Sequence, residues 1–99
     1  MRGVAYIASL GYIHRDIKPE NIMLKHQTDV SPDNIKLCDF GLATHVDVKE
    51  YLYKRCGTPG YVAPEIVNAD ANDPNFKVNS KCDAFSVGVI MYLLLSRLF

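Results

Sequence analysis

Two short β-prone runs, Asn21 to Leu24 (NIML) and Ile35 to Cys38 (IKLC), flank the ten residues KHQTDVSPDN. The intervening stretch is rich in Asp, Ser, Pro and Asn, which favour turns by bonding their own backbone or by presetting φ. The pattern predicts an antiparallel hairpin. No other feature constrains the chain as much, because a hairpin returns residue 39 to the neighbourhood of residue 21. Opposed Cα atoms across such a pair lie about 5 Å apart, so Asn21 and Asp39 are expected side by side at its open end.

An amide oxygen and a carboxylate converging on one point suit a hard cation such as Mg²⁺, which typically takes one or two protein ligands together with substrate phosphates and water. Directly before the hairpin stands IHRDIKPEN, Ile13 to Asn21, with Asp16 and Lys18 close enough in sequence to share the site. Lys18 supplies a compact positive charge for a phosphate. A carboxylate, an ammonium and metal ligands together are what phosphoryl transfer needs, since that chemistry is mostly positioning and charge neutralisation.

The remaining chain reads as a mixed scaffold with a modest core, for a domain of this size buries only about 60 to 70% of its unfolded surface. Val4, Ile7, Ala8 and Leu10 recur at helical spacing over residues 2 to 10, and Gly11 stops the pattern. Residues 39 to 61 show no sustained periodicity and read as a long loop, and residues 67 to 79 as a second, surface loop. Residues 83 to 96 form an apolar helix entered through Ser80 or Lys81, hydrophobic on nearly every face and therefore expected to be buried and central. Its greasiest part, Ala84 to Leu95, is well short of the roughly 20 residues that span a bilayer. Eleven basic residues balance eleven acidic ones, so no charge excess points to nucleic acid or a membrane surface. Cys38, Cys56 and Cys82 are widely spaced and contain no C-x-x-C pair, which argues against a disulfide framework or a zinc site and for a reducing, intracellular and cytoplasmic setting. The amino terminus does not read as a signal peptide.

HRDIKPEN at 14 to 21, DFG at 39 to 41, GTPGY at 57 to 61 and APE at 63 to 65 resemble, in order and spacing, the signature of eukaryotic protein kinases. The resemblance runs through essentially the whole chain and implies an α+β fold, a partial kinase carboxy-terminal lobe (C-lobe), mainly helical with a short β-hairpin next to the catalytic loop. Residues 1–99 would comprise the end of helix E, the catalytic loop, the activation segment and helix F. The resemblance further implies that Asp16 accepts or orients the substrate hydroxyl proton, that Lys18 steadies the γ-phosphate, and that Asn21 and Asp39 hold Mg²⁺. Glu20 would approach the ATP ribose through its backbone, and Met23 and Cys38 would line the adenine and phosphate pocket. KPEN is similar to the serine/threonine kinases, with Thr58 near Asp16 and Lys18 and with Pro59 to Tyr61 shaping a peptide groove. GTPGYVAPE and KLCDFGLA lean toward the calcium/calmodulin-dependent branch. His14 is expected as a packed structural histidine, His26 and His45 as solvated loop residues, Cys38 as a small packing residue, and Asp83 as an acceptor of backbone N–H bonds from the catalytic loop. The implied partners are ATP and a protein substrate presenting Ser or Thr, with no nucleic acid and no membrane. Nothing in the sequence sets an oligomeric state.

The 99 residues contain no Gly-rich phosphate-covering loop, no V-A-I-K lysine and no glutamate to pair with it. The expectation is thus the catalytic half of a serine/threonine kinase, inactive alone. The competing readings are a non-catalytic, truncated kinase-like interaction module and a small-molecule phosphotransferase. The later helices that supply an arginine to the APE glutamate are also outside the sequence, so Glu65 is expected to stand as a buried carboxylate without its partner. Arg15 is of the class that pairs with a phosphate on the activation segment, yet Lys54 and Arg55 stand where the usual threonine would be. That leaves Thr44, Tyr51 and Tyr53 as the hydroxyls of that stretch. NADANDPN at 68 to 75 is expected as an extra surface loop.

Overall fold

A computed structural model describes residues 2–25, 35–48, 56–70, 72–73 and 76–96. Helix α1 (Arg2–Ser9) turns Val4, Ile7 and Ala8 toward the protein and Tyr6 and Leu10 toward solvent. Gly11 ends it for two reasons. Its φ of +83° lies in the region that costs other residues energy, and a Cβ there would stand 2.6 Å from the Nε2 of His45. The chain then forms strand β1 (Tyr12–Ile13) and a 3₁₀ turn (Pro19–Asn21) that opens on a proline, whose ring presets φ for that turn. Strands β2 (Ile22–Leu24) and β3 (Ile35–Leu37) pair antiparallel, with Ile22 opposite Leu37, Met23 opposite Lys36 and Leu24 opposite Ile35.

The antiparallel pairing matches expectation, but the expected partnership of Asn21 with Asp39 does not. The Cys38 N–H donates to the Asn21 carbonyl at 2.8 Å, so Cys38 faces Asn21 and Asp39 lies one residue beyond. A shift of one residue in this register would exchange the faces of every side chain in the strand.

Strand β4 (Thr44–His45) pairs antiparallel with β1, Tyr12 opposite His45 and Ile13 opposite Thr44, and the Val46 N–H extends the pairing to the Gly11 carbonyl at 2.8 Å. Strand β4 thus falls within residues 39 to 61, the stretch read as a long loop. His45 is accordingly not a solvated loop residue: it is half-buried, with its ring edge-on to Tyr12 at 4.9 Å. Thr44 is buried, which removes it as an exposed hydroxyl. Residues 26–34, with His26, and Tyr51, Tyr53, Lys54 and Arg55 lie outside the described residues.

Pro64 at the first position starts the single turn of α2 (Pro64–Val67). Glu65 on it is exposed, so it is not the buried carboxylate that was expected. Asn68, Asp70, Asn72 and Asp73 are exposed, as the surface-loop reading requires. Helix α3 (Lys81–Ser96) begins where the Asn79 Oδ1 accepts the Lys81 N–H at 2.9 Å. Cys82, Ser86 and Ile90, spaced by four, bury one face. The opposite face is not buried among the described residues, and Leu95 is 83% exposed. The expectation of a helix buried on all sides is therefore corrected: Cys82, Asp83, Ser86 and Ile90 are buried and Val87, Val89 and Leu93 half-buried, while Phe85, Met91, Tyr92, Leu94 and Leu95 are exposed. Ile13, Ala63, Ile66, Val78 and Cys82 make the core, with Val48, Val62 and Phe76 against it. No helix of the described residues is long and apolar enough to cross a membrane.

Candidate active site

The loop between β1 and the 3₁₀ turn is held from below by α3. The carboxylate of Asp83, 1% exposed, accepts the His14 backbone N–H at 2.7 Å and the Arg15 backbone N–H at 2.9 Å. Burial raises the Asp83 pKa, and the two N–H donors pull it back toward its ordinary value. Arg15 has φ +70°, an uncommon conformation for a residue with a long side chain, and its Nε donates to the Leu42 carbonyl at 2.7 Å.

His14 is fully buried. Its Nδ1 accepts the Asp16 N–H at 3.1 Å, and its Nε2 lies 2.9 Å from the Cys38 carbonyl. A ring that accepts at Nδ1 and donates at Nε2 is the neutral tautomer. With Phe40 edge-on at 4.8 Å, both nitrogens and one face are occupied, as a packed structural histidine requires.

Held in this way, the loop presents Asp16. The hydroxyl of Thr58 donates to Asp16 Oδ1 at 2.7 Å, and Lys18 Nζ donates to the Thr58 Oγ1 at 2.9 Å while standing 3.8 Å from Asp16 Oδ2. Asn21, buried, donates its side-chain N–H groups to the Asp16 carbonyl at 2.8 Å and to Oδ2 at 3.3 Å. Four of the expected residues therefore meet at one carboxylate. Both of Asn21's side-chain bonds run from its nitrogen, so its amide oxygen takes no part in them.

Asp39 does not join this cluster by any hydrogen bond. It is exposed, adopts φ +57°, a left-handed step that Asp tolerates better than most residues, and accepts the Gly41 N–H on Oδ1 at 3.1 Å. Glu20 is exposed in the 3₁₀ turn, Met23 is exposed on β2, and Cys38 is half-buried. Among the described residues no three His, Cys, Asp or Glu side chains gather as a metal cluster. Asn21 carries an amide oxygen and Asp39 a carboxylate, the hard oxygen chemistry that Mg²⁺ takes, while their observed side-chain bonds run to Asp16 and to Gly41 respectively.

The GTPGY turn delivers Thr58. Gly57, at φ +128°, has Val62 and the Arg15 carbonyl so close that a Cβ would meet them at 2.7 and 3.2 Å. Gly57 and Ser86, whose hydroxyl donates to the Tyr61 carbonyl at 2.6 Å, were not singled out for the site by sequence reasoning. The signals for Gly57 were the glycine itself in a loop and its place at the head of the GTPGY motif.

The family model of the protein kinase domain matches residues 1–99. The chain belongs to the protein kinase domain family. It is similar to a probable myosin light chain kinase of Dictyostelium discoideum, 42% identical over 95 residues that cover 96% of this chain and 29% of that protein. A serine/threonine-protein kinase of Drosophila melanogaster is 42% identical over 92 residues, covering 93% of this chain and 11% of the relative. The gamma catalytic chain of mouse phosphorylase b kinase, liver/testis isoform, is 35% identical over 96 residues, 97% of this chain and 22% of its own length. The chain thus spans less than a third of these curated relatives. It is a kinase-like stretch of mixed helix and small antiparallel sheets.

Proposed function

We propose that residues 1–99 form the C-lobe part of a serine/threonine protein kinase domain that transfers the γ-phosphate of ATP to Ser or Thr hydroxyls of proteins in the cytoplasm. In this reading the hairpin of β2 and β3 lies beside the catalytic loop, residues 39–65 form the activation segment, and α3 is the helix beneath them.

The observation that carries the reading is the Asp16 carboxylate with the Thr58 hydroxyl on it at 2.7 Å and the Lys18 ammonium beside both. A carboxylate able to take a hydroxyl proton, next to a cation able to steady a phosphate, is the minimum needed for transfer to an alcohol. Asp16 accepts or orients the proton of the attacking hydroxyl. Lys18 holds the γ-phosphate against it. Asn21 positions Asp16 through its nitrogen and, with Asp39, would hold Mg²⁺ through oxygen; the bound ion would neutralise charge on the phosphates. Glu20 and Met23 would flank the nucleotide. All the relatives named above carry kinase names, which supports the same class.

The test joins residues 1–99 to the amino-terminal kinase segment of the mouse relative and measures Mg·ATP-dependent phosphorylation of a Ser peptide. Transfer is expected, and Asp16→Asn is expected to lower it by about 10² to 10⁴. Undiminished transfer in that variant removes Asp16 from its role. A folded chimera that binds ATP and transfers nothing favours the non-catalytic interaction module instead.

A further inference from the structure

Helix α3 reaches the site at a second point. Ser86 is 6% exposed, and its hydroxyl stands 2.6 Å from the Tyr61 carbonyl and 3.2 Å from the Cys82 carbonyl one turn below. A serine within a helix ordinarily bonds back to the carbonyl four residues earlier. A hydroxyl has a single proton to donate, and the shorter contact takes it, so Ser86 directs its proton out of its own helix to the GTPGY turn.

The turn passes that tether on. The Tyr61 N–H donates to the Thr58 carbonyl at 3.1 Å, and the Thr58 hydroxyl donates to Asp16 at 2.7 Å. Three residues before Ser86, on the same side of α3, Asp83 grips the backbone N–H groups of His14 and Arg15. Asp83 thus fixes the segment that leads into Asp16, and Ser86 fixes the segment that brings Thr58 to it.

We infer that Ser86 is a positioning residue: its hydrogen bond to the Tyr61 carbonyl sets the 58–61 turn so that Thr58 meets the Asp16 carboxylate. The catalytic consequence rests on the kinase reading above, while the placement of the turn does not. Ser86 also lines a cavity of about 20 Å³ together with Arg15, Cys56, Val62 and Ala63, so there is space beside it, and Ser86→Thr is the variant that keeps the hydroxyl.

The experiment compares hydrogen exchange, by NMR, in the 99-residue chain and its Ser86→Ala and Ser86→Thr variants. Ser86→Ala is expected to speed exchange of the Tyr61 amide about tenfold while the β2 and β3 amides keep their rates; Ser86→Thr is expected to restore slow exchange. An unchanged Tyr61 rate in Ser86→Ala overturns the inference. So does a rise shared equally by every amide, or a threonine variant as fast as the alanine one.

In the chimera, Ser86→Ala is expected to lower kcat about tenfold with KM for ATP unchanged, and Ser86→Thr to recover it. A loss that raises KM for ATP in proportion overturns the role at the reacting groups. If the unaltered chimera transfers no phosphate, the kinase reading fails, whereas the exchange result still decides the turn.

Discussion

Asp83 Oδ1 accepts the backbone N–H of Arg15 at 2.9 Å, across 68 residues of chain. Its other oxygen takes the N–H of His14 at 2.7 Å. The donor Arg15 sits at φ +70°, a left-handed conformation that costs an L-residue roughly 1 to 2 kcal/mol. Hydrogen bonds to a charged acceptor contribute about 1.5 to 3 kcal/mol each, enough to hold the strained residue in place. Asp83→Asn keeps the shape but turns one acceptor into a donor facing an N–H. It is expected to lower unfolding stability at pH 7 by about 1 to 3 kcal/mol, read from urea denaturation midpoints at constant slope.

The pH dependence of that penalty has a definite sign. Burial outweighs the hydrogen bonds and raises the folded pKa of Asp83 above its ordinary 3.8. Between the two values the folded chain binds more protons at this site than the unfolded chain, so stability falls as pH rises. The contribution of Asp83 is fully present below 3.8 and declines as pH climbs through the folded value. The stability difference between the native chain and Asp83→Asn should therefore narrow from pH 3 to pH 7 in paired melts; a difference that widens would show that the folded carboxyl is the stronger acid.

Two glycines are expected to respond in opposite directions to alanine. At Gly57 a Cβ would stand 2.7 Å from Val62 Cγ2 and 3.2 Å from the Arg15 carbonyl, at φ +128°. The backbone conformation and the crowding both resist it, and Gly57→Ala should cost about 1 to 3 kcal/mol. Gly88 lies inside α3 with nothing within 4 Å of its would-be Cβ. There alanine only reduces the freedom of the unfolded chain, and Gly88→Ala should gain about 0.5 to 1 kcal/mol. Thermal unfolding of the two variants beside the native chain checks both signs.

Much of this arrangement could be read from the sequence where its causes are local. Helix α1 follows from the spacing of Val4, Ile7 and Ala8 and stops at Gly11; α3 runs from Lys81, close to the residues named as its entry. Asp16, Lys18 and Asn21 lie within a few residues of one another, so a short loop was bound to keep them near. The register of β2 against β3 was not legible, because the length of a loop does not say which residue faces Asn21, and Cys38 does. Strand β4 escaped because a two-residue strand has no period to detect, and only its partner β1 defines it. Ser86 reads as one more residue of a greasy helix until Tyr61, distant in sequence, is seen to accept its proton. The exposure of Leu95 was hidden for the opposite reason: hydrophobicity says that a side chain favours burial, not that anything is present to bury it.

Cys82 offers a direct measure of how well the core is closed. It lies at the buried face of α3, 7% exposed, and burial, followed by the negative charges of Asp83 and Glu65, pushes its thiol up to about 12. Since the thiolate is the reactive form, at pH 8 only about one molecule in ten thousand would carry it. Burial also raises Cys56, against the opposing pull of Arg15, but Cys56 is only half-buried. Iodoacetamide at pH 8 should therefore modify Cys56 well before Cys82 in the folded chain, and both at similar rates in urea, as peptide mapping by mass spectrometry would show. Equal rates in the folded chain would mean that α3 lifts from the core on the labelling timescale. The same shift fixes the alkaline behaviour: as pH rises from 9.0 toward about 12, the folded chain keeps a proton at Cys82 that the unfolded chain gives up, so stability is lost across that range.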